Sequence, residues 1–157
     1  MKSVLPLILL TVMMPACTDR LEPPPEHGVR ADGTLDFVQG DSTVIHSITI
    51  EIADTEVARQ RGLMNRRGMD LDEGMLFIFQ APDSLSFWMR NTAMPLDIIF
   101  VGENLSIVNI ARRTRPLSDD FIRAAAPAQY VVEVRGGVTE RYGITEHASI
   151  RWRRNNS

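Results

Sequence analysis

An alternation restricts this chain more than any other feature. Val44, His46, Ile48, Ile50 and Ile52 are interleaved with Ile45, Ser47, Thr49, Glu51 and Ala53. A two-residue period sends successive side chains to opposite faces of a strand, so the stretch predicts a strand with one buried face. His46 lies on the apolar side near the strand's start, where a partnered core-edge histidine is the expected role.

The rest of the chain repeats the theme in short pieces. Met75 to Phe79 is a continuous apolar run, the pattern of a strand buried on both faces. Ser86–Arg90, Leu96–Val101, Leu105–Ala111, Tyr130–Val134 and Ser149–Trp152 are further strands, and Ala81-Pro82-Asp83-Ser84 is a turn. Two helices interrupt them. Asp54-Thr55-Glu56 offers capping chemistry for Val57–Arg61 with Gly62 as its stop, and Val138–Tyr142 is closed by Gly143. Residues 112–129 are irregular, with a helical turn near 119–125. Many strands with about two short helices predict an α+β fold: a single compact strand-rich domain with a mixed sheet or small barrel-like core.

At 157 residues the chain has room for one domain. Its ends differ from its middle. Met1-Lys2-Ser3 is a basic start and Val4–Met14 an apolar stretch too short to span a bilayer, so residues 1–16 are expected to be a secretory signal. Cys17, the only cysteine, follows Ala16 as in a bacterial lipoprotein processing site, and its thiol is the expected lipidation point. An unpaired thiol in an oxidising compartment supports that choice over a soluble periplasmic protein cleaved after Ala16. The membrane is thus the expected partner through Cys17, and the periplasmic face of the envelope, with outer-membrane sorting implied by Thr18, the expected location. Residues 17–34 carry three consecutive prolines and few apolar groups, the composition of a disordered tether. The folded domain is expected at 35–152, with 153–157 as a frayed tail.

Composition excludes more chemistry than it suggests. Lys2 is the only lysine, so the mature domain lacks a lysine for Schiff-base chemistry, general-base catalysis or a phosphate loop. A net charge of −3 gives no reason to expect nucleic acid. With three scattered histidines and no cysteine motif, neither a metal site nor a cofactor is expected, and no catalytic constellation stands out. What remains is a pair of carboxylates in apolar strands, Asp97 before Ile98 and Glu133 between Val132 and Val134. Burying either without a partner costs several kcal/mol, so each is expected to meet an arginine, with Arg61, Arg66 and Arg90 as suppliers.

The order Gly62-Leu63-Met64, Gly74-Met75-Leu76-Phe77, Phe87-Trp88-Met89, Asn91-Thr92, Pro95-Leu96-Asp97-Ile98-Ile99-Phe100 and Tyr130-Val131-Val132-Glu133 closely resembles the bacterial and archaeal domain of unknown function 192. The resemblance spans about Ile48 to Trp152. It implies a compact strand-rich α+β domain, often exported or lipid-anchored, and no established activity. By motif it places Arg61, Asn91, Thr92, Asp97 and Glu133 at the family's characteristic polar points. Arg90 stands where the family often has lysine, and Glu146-His147-Ala148 replaces a typical Gly-Asp turn.

Three functions fit these residues. A binding module would hold a small molecule or envelope polymer through Arg61, Arg90, Asn91, Thr92, Asp97 and Glu133. A hydrolase or lyase on a cell-wall or sugar substrate would use Asp97 or Glu133 as acid or base and would need a second carboxylate in the same cleft. Copper(I) binding would need the sulfurs of Met64, Met69, Met75, Met89 and Met94 to converge at the surface. One geometric expectation is sharp: a hairpin of Ser86–Arg90 with Leu96–Val101 would bring Arg90 against Asp97.

Overall fold

The protein is described by a computed structural model that covers residues 25–40 and 42–155. The expected signal segment, Cys17 and the first two of the three consecutive prolines, Pro23 and Pro24, lie outside the described residues. In chain order the elements are β1 (Gly33–Gln39), β2 (Thr43–Ala53), α1 (Glu56–Arg61), β3 (Glu73–Asp83), β4 (Ser86–Phe87), β5 (Leu96–Val101), β6 (Ile107–Ala111), β7 (Ile122–Arg123), β8 (Ala128–Arg135), α2 (Val138–Tyr142) and β9 (Ser149–Arg154).

Seven strands form one mixed sheet in the order β6-β5-β8-β3-β2-β1-β9. Among its pairs β2 and β3 run parallel, joined by the crossover that carries α1, and the others run antiparallel. The sheet curls into a half-barrel. At one end its two outer strands are stitched by Ile107 N–H to Ala148 O at 3.1 Å and Ile150 N–H to Leu105 O at 2.9 Å. The expected α+β, strand-rich single domain is what forms.

Both faces of this sheet are covered, which explains its apolar runs. One face packs Leu35, Phe37, Ile50, Leu76, Ile99 and Val132, together with Val138 of α2. The opposite face packs Met75, Phe77, Ile98, Phe100 and Val131 beneath Leu63, Met69, Met89 and Met94. Thus β2 has a second buried side: Glu51 and Ala53, expected on an open face, lie under the α1 crossover.

The two helices form as their caps predict. The Thr55 hydroxyl accepts the Ala58 amide at 3.2 Å, and Gly62, at φ 49°, stops α1 by donating its N–H to Ala58 O. Gly143, at φ 68°, stops α2 in a left-handed conformation that favours glycine.

Several local expectations are corrected. The hairpin of 86–90 with 96–101 does not form: β4 stops at Phe87 and pairs with β7, while β5 lies between β6 and β8. Residues 88–95 make a compact turn instead, with Thr92 N–H to Met89 O at 3.0 Å and Asn91 at φ 55°. Residues 122–123 are strand rather than part of a helical turn. Residues 81–83 continue β3 past a register shift after Ile78.

The packed body also begins before Leu35 and ends after Trp152. Arg67 N–H reaches Glu26 O, Arg66 donates to Gly28 O at 2.7 Å, and Arg30 to Glu51 at 2.7 Å. These residues are too polar to form a core, yet they are held by charge-assisted bonds to buried groups, which composition does not register. At the other end Arg153 and Arg154 belong to β9, and Asn155 donates to Ala31 O.

Candidate functional site

Register assembles a charged row on the sheet face beneath α1. Glu51 of β2 pairs with Met75 of β3, and Met75 pairs with Glu133 of β8, so the two glutamates flank one methionine. Above them sits Arg66, only 2% exposed. Its guanidinium binds Glu51 at 2.8 Å and Gly28 O at 2.7 Å, and its Nε has no hydrogen-bond partner among the described residues. Arg30 grips Glu51 from the other side at 2.7 Å. Glu51 is therefore neutralised twice.

Glu133 is not. It is 4% exposed, and among the described residues no group hydrogen-bonds its carboxylate or pairs with it within ion-pair distance. Burial pushes its carboxyl up to about 8, and Arg66, acting through space, only partly opposes that. At neutral pH it is a buried, neutral acid able to donate or accept a hydrogen bond. Such a group without a partner costs free energy unless something occupies the space before it.

The space exists. A cavity of about 40 Å³ lies between α1 and the 87–92 segment, lined by Arg61, Leu63, Phe77, Trp88, Thr92 and Glu133 among others. By volume it has room for a water molecule or a small ligand head. An outer groove of about 520 Å³ shares Arg59, Gln60, Phe87 and Trp88 with it, and adds Glu56 and Phe79. Phe87 stands edge-on to Phe77 and Phe79 at 5.0 and 6.4 Å, fixing an aromatic wall. Trp88 is 37% exposed, with the Arg90 guanidinium 4.1 Å from its ring centre and the Phe121 ring 5.9 Å away.

Two arginines line the cavity in different states, Arg59 where it meets the outer groove and Arg61 within. Arg59 is committed: it donates to Asp54 O at 2.7 Å and Ile78 O at 2.9 Å, and lies over the Phe79 ring. The half-buried Arg61 guanidinium has no hydrogen-bond or ion-pair partner among the described residues.

Of the residues singled out from sequence, the structure brings Arg61, Thr92 and Glu133 to one cavity. It does not bring the others there. Arg90 pairs with Asp119 at 2.6 Å, not with Asp97. Asn91 is exposed, and its carbonyl accepts the Asn65 amide at 2.8 Å. Asp97 is fully buried on the opposite sheet face, where it accepts Arg113 N–H at 2.8 Å, Gly137 N–H at 3.0 Å, Thr139 N–H at 3.0 Å and the Thr139 hydroxyl at 2.7 Å. Backbone amides and the Thr139 hydroxyl hold it and clamp β5 to the start of α2, while the Arg113 side chain acts on it only through space. Arg66 finds a carboxylate, but it is Glu51.

Met69, Met75, Met89 and Met94 are buried in the core beneath α1, and the Met89 sulfur accepts the Thr114 hydroxyl at 3.1 Å. Their sulfurs do not converge at the surface as copper binding would need.

Sequence reasoning missed Arg59, Gln60 and Phe79 as groove residues. The signal lay in α1 itself, whose six residues include no buried one, so that a polar helix faces an aromatic strand end across a gap.

Together these features define a class: a one-domain α+β half-barrel with a small acid-floored cavity between its crossover helix and its sheet. The chain belongs to the domain of unknown function 192 family, whose model, described as an uncharacterized ACR, matches residues 37–152. Solved structures similar to it include the following two. One, a proposed transcription regulator from Sinorhizobium meliloti, is 31% identical with a TM-score of 0.74, covering 78% of this chain and 94% of its own. Another, a protein of unknown function from Novosphingobium aromaticivorans, is 36% identical with a TM-score of 0.71, covering 76% of this chain and 84% of its own. No curated protein matches the chain.

Proposed function

We propose that the domain is a binding module that takes a small molecule in the groove between α1 and the Phe87–Thr92 segment. The observation that carries this is Glu133: a buried, unpartnered carboxyl at the floor of a cavity that opens into an aromatic-walled groove. The groove's volume lies within the range of small-molecule sites, and its mix of apolar walls with a few polar groups is the usual lining. An extended envelope polymer is less suited, because the polar end of the site is a narrow recess.

The hydrolase or lyase reading narrows to Glu133, since all the acceptor capacity that Asp97 uses is turned to α2 and Arg113. A carboxyl raised to about 8 suits a general acid at neutral pH. The second carboxylate of the groove, Glu56, is exposed and holds Gln60 at 3.1 Å, at the outer end. A binding role asks for less and fits better.

Residues 1–16 serve in this reading as an export signal and Cys17 as a lipid anchor, which would hold the module at the periplasmic face of the envelope.

The test is a fragment screen on the full chain, read at the Trp88 indole N–H resonance. Binders should shift that resonance, and their affinity, measured by calorimetry in both proteins, should fall in Trp88→Ala. A screen in which binders appear but leave Trp88 unmoved would overturn the groove as the site.

A further inference from the structure

The groove has a charge pattern, and that pattern selects a ligand class. Its inner polar groups are the Arg61 guanidinium, the Thr92 side chain and the Glu133 carboxyl, and Arg59 stands at the mouth. The charged groups facing Glu133 from neighbouring elements are also cationic on balance. Arg66 lies over it, while Glu51, beyond Met75, is paired to both Arg66 and Arg30. The one carboxylate on the groove besides Glu133 is Glu56, exposed at the far end.

Resting on the binding reading above, we infer that the groove takes a small monoanionic carboxylic acid with a ring-bearing body. The carboxylate enters the inner cavity, accepting from the Arg61 guanidinium and from Glu133, and the ring lies against Phe79, Phe87 and Trp88.

Each contact answers a need visible in the structure. Arg61 is a guanidinium without a partner, and a carboxylate is the geometry its fork binds best. Glu133 is a carboxyl without a partner, and as a neutral acid it donates a proton to an anion's oxygen without repelling it. The aromatic wall is apolar and rigid, as flat rings require. A cationic ligand would instead meet Arg59 and Arg61 on entry and would have to ionise a carboxyl that burial holds neutral. An uncharged ligand would leave Arg61 unpaired.

Binding of such an anion depends on pH. Glu133 can donate to the anion only while it holds its proton, so affinity is level below the Glu133 pKa and falls as pH rises through about 8.

The probes are benzoate and phenylacetate, with benzamide as the uncharged control and benzylamine as the cationic one. Binding to the full chain is followed at the Trp88 indole resonance from pH 6 to 9.5. The two acids should bind at least about tenfold tighter than benzamide, with benzylamine weakest. Arg61→Ala should lose at least about tenfold for the acids and leave benzamide unchanged, a pattern that loss of a bidentate ionic contact gives. Glu133→Gln keeps a donor at the cavity floor, so it should bind the acids at pH 7 yet lose the decline above pH 8. If benzylamine or benzamide shifts Trp88 as well as the acids do, the anion selectivity is wrong and the groove stands. If none of the four probes shifts Trp88, both fall.

Discussion

Glu133→Gln should make the protein more stable, and increasingly so as pH rises. The unfolded chain exposes Glu133 and releases its proton near 4.5, whereas the folded domain holds that proton until about 8. Between those values the folded state binds one proton more than the unfolded state, so wild-type stability falls with pH from this residue alone. The slope is about 1.4 kcal/mol per pH unit, which over this window amounts to about 5 kcal/mol as an upper limit. Glutamine has the same shape and no charge to desolvate, so the variant lacks this slope. Urea unfolding of both proteins from pH 4 to 9 isolates the term, because every other titrating group cancels in the difference. The two midpoints should lie nearest each other at pH 4, separate steadily to about pH 8, and remain parallel above it, with equal m-values. A difference constant from pH 5 to 9 would refute the reasoning, since it would mean that Glu133 ionises in the folded domain as freely as an exposed glutamate.

Asp97→Ala should cost about 3 to 5 kcal/mol in urea unfolding, because it strands three buried or half-buried amides and the Thr139 hydroxyl at once. A loss under about 1 kcal/mol would show that those donors find other acceptors. Intact-mass analysis of the mature wild-type protein should find Cys17 as the first residue and carrying diacylglycerol, and Cys17→Ser should be unlipidated. A mature chain that starts at an unmodified Cys17 would refute the anchor.

Legibility from sequence followed the range of the interactions involved. Short-range rules succeeded: the Thr55 cap and Gly62 stop of α1, and Gly143 after α2, depend on residues within one turn. The alternation in β2 was also plain, but it suggested one buried face where there are two. The covering layer, α1 and the Leu63–Met69 segment, comes from elsewhere in the chain, and Glu51 gave no local sign of meeting Arg66. The expected hairpin failed for the same reason. The pattern Ser86 to Arg90 is strand-like, but its pairing partner, Ile122–Arg123, sits in a stretch too short to show a period. Asn91, one of the residue types that tolerate positive φ, was the clue that the chain turns early. Among the site residues, Glu133 was legible because a carboxylate between two valines of a central strand has nowhere to go but inward. Its lack of a partner was not legible, since that depends on Arg66 choosing Glu51.

The way the chain enters the body has a mechanical consequence. Glu26 to Arg30 are laid across the domain by backbone bonds to Arg67 and Gly68 and by the guanidinium of Arg66, before β1 takes its place between β2 and β9. Tension drawn along the N-terminal segment would therefore load Glu26–Arg67 first, then Gly28–Arg66 and Arg30–Glu51, ahead of the sheet. Arg66 is also the cation nearest in effect to Glu133. A tug that displaced it would remove the one influence lowering that carboxyl's proton affinity, so a pull on residues 26–30 would be felt as chemistry at the cavity floor.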